Sequence, residues 1–246
     1  MKDSIAIVTG AAGGIGAEVA RQLAAAGVRV AVFDVDREAG ARQAAAIGGI
    51  FAHCDVADPD SWTKALDACV QSLGVPDYVH LNAGVMSVGA AESFLPIEQL
   101  PLARYRRIVG VNLDGVVFGL QALLPQMRAR GGAITVTASI AGLIGLPIDP
   151  MYSATKHALI GLVRSVAAAM PDAAMRLNAI CPGGVDTAIV PDALRAGDMA
   201  LMRPAELAAE VVDLLRAGAH GEIRVKLASG LPAFVMPAPA LGPGPS

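Results

Sequence analysis

Short apolar runs rich in β-branched residues alternate along this chain with longer Ala-rich stretches in which apolar positions recur at helical spacing. The runs that predict strands are Ile5 to Thr9, Val28 to Phe33, Gly49 to His53, Tyr78 to Asn82, Ala133 to Ala138, Met175 to Ile180 and Ile223 to Ala228. Several are apolar throughout, as strands covered on both faces must be. Between them, helices are predicted over Ile15 to Ala26, Arg37 to Ala46, Pro59 to Leu73, Leu102 to Arg130, Met151 to Met170 and Pro204 to Ala217. Asp58 before Pro59 reads as an N-cap followed by proline at the first helical position. Repeated strand-helix-strand order predicts an α/β fold: a doubly wound parallel sheet of about seven strands, with right-handed crossovers and helices on both faces. Nothing resembling a linker precedes residue 230 and no period repeats, so residues 1–230 are expected to form one domain. Residues 231–246 are set apart as a Pro-rich tail, since no charge follows Lys226 and five prolines fall between Gly230 and Ser246. Proline denies ladder hydrogen bonds, so the tail reads as irregular. Its Leu231, Phe234, Val235 and Met236 are the residues suited to cover a pocket or a subunit interface.

Composition narrows the classes. The 246 residues are 54% hydrophobic but only 4% aromatic, which excludes a disordered chain. Ala makes up roughly a fifth, well above ordinary usage, so small residues must provide close-packed layers. A net charge of −3 without a basic stripe argues against nucleic acid and anionic membrane surfaces as partners. Cys54, Cys69 and Cys181 are odd in number and far apart, and read as buried or free thiols of a reducing, cytoplasmic compartment. The four histidines show no metal-ligand spacing, so no metal is expected. The first residues lack the pattern of a signal peptide. Ala133 to Ile148 is uncharged, but Gly142, Gly145 and Pro147 break it, and a buried strand followed by a loop is expected there instead of a membrane span.

The chemistry starts where the first strand runs into Thr9-Gly10-Ala11-Ala12-Gly13-Gly14-Ile15-Gly16 and a helix follows. Such a turn lets a pyrophosphate approach the backbone, and the helix N-terminus offers free N–H groups and a positive dipole end. The second strand leads to Asp34, 18 residues beyond Gly16, where a carboxylate accepts hydrogen bonds from both adenosine ribose hydroxyls and repels a 2′-phosphate. NAD is therefore favoured over NADP, although Arg37 stands nearby. Tyr152 and Lys156 share one helical face, and an ammonium near a phenol is expected to lower its pKa and make Tyr152 a general acid/base. Ser139 closes the fifth strand and is placed to orient a carbonyl or hydroxyl against Tyr152.

In these motifs the chain resembles the short-chain dehydrogenase/reductase family over nearly all of residues 4–230. The resemblance rests on Thr9 to Gly16, Cys54-Asp55-Val56, Asn82-Ala83-Gly84, Asn112, Ser139, Tyr152 to Lys156, and Cys181-Pro182-Gly183 with Val185 and Thr187. It implies a Rossmann-type fold with a dinucleotide held by Gly10, Gly14, Ile15 and Gly16, and by Asp34 with its neighbour Val35. It further implies that Asp55 and Val56 hold the adenine while Asn82, Ala83 and Gly84 line the cleft. Lys156 would bind the nicotinamide ribose, Asn112 would fix a water linking Lys156 to solvent, and Val185 and Thr187 would hold the nicotinamide amide. The NAD-preferring branch that includes hydroxyprostaglandin dehydrogenases is the nearer likeness. Asp149 stands where that branch tends to place an amide, the segment between Thr187 and Pro204 is short, and Ala228-Ser229-Gly230 replaces the Asp-Gly-Gly ending common in bacterial members.

The expected function is NAD-dependent interconversion of a secondary alcohol and a ketone, with a small apolar substrate beside Met86, Leu143, Ile144, Leu146, Ile189, Leu194, Met199 and Met202. The alternatives are an NADP-dependent carbonyl or 3-oxoacyl reductase and a non-catalytic dinucleotide-binding regulator. A homotetramer or homodimer is expected through the two long Ala- and Gly-rich helices that begin at Leu102 and Met151.

Overall fold

The computed structural model describes residues 1–170, 174–195 and 200–239. Seven strands lie parallel: β1 (Ile5–Thr9), β2 (Arg29–Asp34), β3 (Ile50–His53), β4 (Tyr78–Leu81), β5 (Gly132–Thr137), β6 (Met175–Pro182) and β7 (Ile223–Lys226). The sheet order is β3-β2-β1-β4-β5-β6-β7, ending in a short antiparallel β8 (Phe234–Val235). It is a doubly wound α/β fold, and its order reverses between β1 and β4. There the connections leave in opposite directions and open a crevice at the strand carboxyl ends.

Alternation along the strands feeds two cores. Ile5 and Ile7 of β1, with Ala31 and Phe33 of β2, face the layer of α3 (Pro59–Ser72), α5 (Gly115–Met127) and α6 (Pro150–Ala168). Ala6 and Val8, with Val30 and Val32, face α1 (Gly14–Ala25), α2 (Arg37–Ala46) and α8 (Pro204–Ala217). The Asp58 carboxylate caps α3 by accepting the Asp60 N–H at 3.0 Å, as the Asp-Pro pair predicts. Trp62 of α3 is fully buried, edge-on to Phe33 with ring centroids 6.0 Å apart. Cys54, Cys69 and Cys181 are buried free thiols.

Two expectations are corrected. The helix foreseen from Leu102 to Arg130 is two α-helical pieces, α4 (Leu102–Val109) and α5, joined by a π-helical turn at Gly110–Asp114. The extra residue in that turn rotates Asn112 inward until it is fully buried. The tail also contributes an eighth strand. Between Pro232 and Pro237 four residues retain their N–H groups, enough for β8 to pair with β7 and for the Met236 N–H to donate to the Ile223 carbonyl at 2.8 Å. Residues 240–246 of the tail, and Met199, lie outside the described residues. The span Leu102–Met127 is long and apolar enough to cross a membrane, a property that it shares with soluble core helices. A short helix, α7 (Asp192–Arg195), follows β6.

Trp62→Ala empties the centre of the α3 side of the core and is expected to cost about 3–5 kcal/mol. Urea unfolding would read this as a lower midpoint at unchanged slope; an unchanged midpoint would contradict the packing assigned to Trp62.

Candidate active site

Beyond Thr9 the chain turns sharply into α1. Gly10 has φ +61°, and a Cβ there would lie 2.9 Å from the Ala83 Cα. A Cβ on Gly16 would lie 2.3 Å from the Gly10 carbonyl oxygen and 2.8 Å from the Asn82 amide nitrogen. Only glycine permits both approaches, and together they press the start of α1 against the end of β4. No side chain caps α1, so its leading N–H groups and positive dipole end stay open to the cleft lined by Gly13, Gly14 and Ile15. At the end of β2, Asp34 accepts the Ala12 N–H at 2.8 Å and the Asp36 N–H at 3.0 Å. It thereby fixes the turn while keeping two acceptor positions free.

Behind the turn a buried polar chain joins three strand ends. The Thr9 hydroxyl oxygen accepts the N–H groups of Asn82 at 2.9 Å and Ala83 at 3.1 Å, and the Asn82 amide donates to the Thr9 carbonyl at 3.1 Å. The Thr137 hydroxyl lies 3.2 Å from both Asn82 Oδ1 and His80 Nε2, and His80 Nδ1 lies 3.3 Å from the Thr135 carbonyl. Burial pushes the His80 pKa down to about 4, so the ring is neutral at pH 7.

The reacting end is built by β5 and α6. Ser139 follows β5, and its Oγ accepts the Ala141 N–H at 3.1 Å. Asp149 caps α6, accepting the Tyr152 N–H at 3.0 Å and the Ser87 N–H at 2.9 Å. One turn on, Lys156 is buried, its Nζ 5.5 Å from the Tyr152 ring centroid and donating to the Thr137 carbonyl at 2.8 Å. The expected pKa depression of Tyr152 is not what this arrangement produces. Burial pushes the phenol up to about 12, the Ser139 hydrogen bond pulls against it, and the Asp149 charge adds to the rise. Burial also pushes Lys156 down to about 8. Desolvation is the largest cause of both shifts.

These groups line one cleft of about 510 Å³. Following the strand order, Asp34 after β2 borders one end, Gly10, Gly14 and Ile15 after β1 and Asn82, Ala83 and Gly84 after β4 the middle, and Ser139, Tyr152 and Lys156 the other, while Val185 and Thr187 also line the cleft and a Cβ on Gly14 would lie 3.1 Å from the Thr187 Cγ2. Gly16 acts one layer behind, through its contact with Gly10. Val35 is 58% exposed, and Asp55 and Val56 sit at the end of β3; none of the three is on the cleft wall. Val56 instead packs against Gly115, and the Asp55 carboxylate accepts the Ala57 N–H. Asn112 binds the Val85 N–H at 2.8 Å, the Val85 carbonyl at 2.9 Å and the Thr155 hydroxyl at 3.1 Å. Its side chain thus braces the Gly84–Val85 segment against α6. Of the expected substrate residues, Met86, Leu146, Ile189 and Leu194 line the cleft. Leu143 packs on the core, Ile144 is exposed, and Met202 is buried beneath α8. His80, Thr137 and Asp36 were not singled out by the sequence motifs, although a polar residue within an apolar strand marks the first two.

An ordinary histidine pKa of 6.5 in the unfolded chain against about 4 in the native protein makes His80 a source of acid sensitivity. Below pH 6.5 the unfolded chain takes up a proton that the native protein refuses until about pH 4. His80→Gln is expected to abolish roughly 3 kcal/mol of the stability loss between pH 7 and pH 4. Parallel stability curves for the two proteins, from denaturant titrations across that range, would contradict this origin.

A family model described as short chain dehydrogenase matches residues 4–196. Trans-4-hydroxycyclohexanecarboxylate dehydrogenase of Sinomonas cyclohexanicum is 33% identical over 225 residues, covering 87% of this chain and 84% of the relative. Cyclohexanol dehydrogenase of Acinetobacter sp. (strain SE19) is 34% identical over 194 residues, covering 76% and 75%. Among solved structures, levodione reductase superposes with a TM-score of 0.84 at 27% identity, covering 92% of this chain and 96% of that one. A glycine turn opening α1 and a Ser139-Tyr152-Lys156 cluster share one cleft, and with these matches they establish that the chain belongs to the short-chain dehydrogenase family of oxidoreductases.

Proposed function

We propose that this protein is an NAD-dependent oxidoreductase that interconverts an apolar secondary alcohol and its ketone, with Tyr152 as general acid/base. The observation that carries the reading is the convergence of Ser139, Tyr152 and Lys156 at one end of a cleft whose other end is Asp34. When bound, the nicotinamide supplies or accepts the hydride. In reduction Tyr152 gives its phenolic proton to the carbonyl oxygen, and in oxidation the phenolate takes the hydroxyl proton back. Ser139 holds the reacting oxygen through its hydroxyl. Lys156 spends one donor on Thr137 and has two left for ribose hydroxyls. Val185 and Thr187, which line the same cleft, would hold the carboxamide.

The preference for NAD is supported by Asp34 and Asp36, which both border the adenosine end, while the cleft-lining residues include no arginine and no lysine besides Lys156. Two carboxylates there repel a 2′-phosphate. For the substrate, the wall beyond Tyr152 is made of Met86, Ile140, Leu146, Ile189, Val190 and Leu194, all apolar. The alicyclic substrates named for two relatives fit such a wall. The absence of a free cation on it among the described residues favours an uncharged ring over a carboxylated one.

Across the outer face of α5 and α6, Val117, Leu120, Leu124, Leu162 and Val166 line an apolar groove of about 480 Å³. We read it as the seat of a second copy, giving a homodimer or homotetramer in a reducing, cytoplasmic setting.

Cyclohexanol and NAD, followed by absorbance of reduced cofactor, test the activity. Turnover is expected to exceed that with NADP by at least about tenfold, the factor that 1.4 kcal/mol of discrimination provides. Cyclohexanol should likewise outrun 4-hydroxycyclohexanecarboxylate. Tyr152→Phe should lose on the order of 10²–10⁴-fold in turnover while binding NAD as before; full turnover by this variant would sink the mechanism. Light scattering should give a multiple of 24.9 kDa, reduced to the single-chain mass in Leu162→Glu/Val166→Glu; a wild-type monomer refutes the assembly.

A further inference from the structure

The loop that follows β4 is held at three consecutive residues by three different elements. Asn112 of the π-helical turn binds the Val85 N–H at 2.8 Å and the Val85 carbonyl at 2.9 Å. Arg107 of α4 donates to the Met86 carbonyl at 3.0 Å. Asp149, the cap of α6, accepts the Ser87 N–H at 2.9 Å. Met86, Ser87 and Val88 are buried, and Met86 lines the cleft.

Asp149 does more than close its own helix. It is 1% exposed, and its two oxygens serve two segments: Oδ1 accepts the Tyr152 N–H at 3.0 Å, and Oδ2 accepts the Ser87 N–H. Its own N–H donates at 3.1 Å to the carbonyl of Leu146, a second residue on the cleft wall. One side chain thereby fixes the backbone beside Met86 relative to the backbone of the reacting tyrosine. Capping alone does not call for a carboxylate, since serine and asparagine cap as well. Two N–H groups arriving from different segments do call for one. An amide offers a single acceptor oxygen, and its NH2 would meet the second N–H donor against donor.

We propose that Asp149 is a positioning residue for substrate specificity: it fixes the spacing between Met86 and Tyr152 so that the slot admits one cyclohexane-sized ring and excludes a fused pair. The inference rests on the reading that Tyr152 meets an alcohol or ketone in this cleft. Methionine is unbranched and adapts to what it packs against, so a wall containing it discriminates only where its backbone is anchored. Asn112 and Arg107 anchor that backbone to the π-helical turn and α4. Among the described residues, Asp149 supplies the one direct hydrogen bond from the start of α6 to the Val85–Ser87 stretch. The cleft of about 510 Å³ is shared between dinucleotide and substrate, which leaves a small part for the substrate. Released from Asp149, the Ser87 segment can draw back from α6, and the slot widens.

Asp149→Asn and Asp149→Ser each keep a capping oxygen for the Tyr152 N–H and lose the acceptor for Ser87. In both, the Ser87 amide, followed by NMR, should exchange with deuterium about tenfold faster than in the wild type, as loss of one buried hydrogen bond implies. The Tyr152 amide should keep its protection. The ratio of kcat/KM for cyclohexanol to that for decahydronaphthol, measured with NAD, should fall by roughly tenfold. In a Met86→Ala background the same substitutions should leave the ratio unmoved, because the side chain that they reposition is gone. A Ser87 amide that exchanges as fast in the wild type as in the variants overturns the proposal, as does a full change of ratio in Met86→Ala. Equal losses on both alcohols remove the role of Asp149 and leave the proposed activity standing; a wild type that oxidises neither alcohol removes both.

Discussion

The site depends on keeping an ammonium in a place that water barely reaches. Lys156 is 2% exposed, and burial of such a charge is expensive unless polar groups surround it. Here the Thr137 carbonyl accepts one donor. Two donors remain on the amine. The field of this cation is therefore barely screened, and it acts on the phenol four residues earlier on the same face of α6.

That placement works because β5 and α6 are themselves held in register with the dinucleotide turn. Thr137 uses its carbonyl for Lys156 and donates its hydroxyl proton to Asn82, with His80 Nε2 3.2 Å from the same oxygen, while Asn82 returns to Thr9 and Gly10. Asn112, turned inward by the π-helical turn, closes the other side by tying Val85 to Thr155. A polar chain of this kind is worth keeping only if its members are satisfied. It couples the geometry of the Gly-rich turn to that of the reacting end, across the gap where the sheet order reverses.

What the sequence made legible was whatever is encoded by spacing within one segment. Tyr152 and Lys156 are four apart on a helix, the glycines of the turn lie within seven residues, and Asp34 follows at a fixed distance along one βαβ unit. Contacts between segments were less legible. His80, Thr137 and Asn82 meet because parallel pairing sets His80 against Thr135, a register that no local pattern reveals. Val35 was grouped with the site, and it lies in the bend just past β2, exposed to solvent. The eighth strand was hidden by the prolines that flank it. The direction of the Tyr152 shift was misjudged for a related reason: the four-residue spacing shows the attraction to Lys156, whereas desolvation is a property of the assembled fold.

The proposed chemistry is passage of a hydride between a substrate carbon and NAD in the cleft that holds Tyr152 and Lys156. Its most direct test uses alicyclic alcohols deuterated at the carbinol carbon, incubated with NAD and the enzyme, with mass spectrometry of the reduced cofactor. Transfer of one deuterium to the nicotinamide, lost in Lys156→Met and Tyr152→Phe, is the predicted result. Unlabelled or unreduced cofactor across the set, with the wild-type protein folded and saturated with NAD, would contradict it.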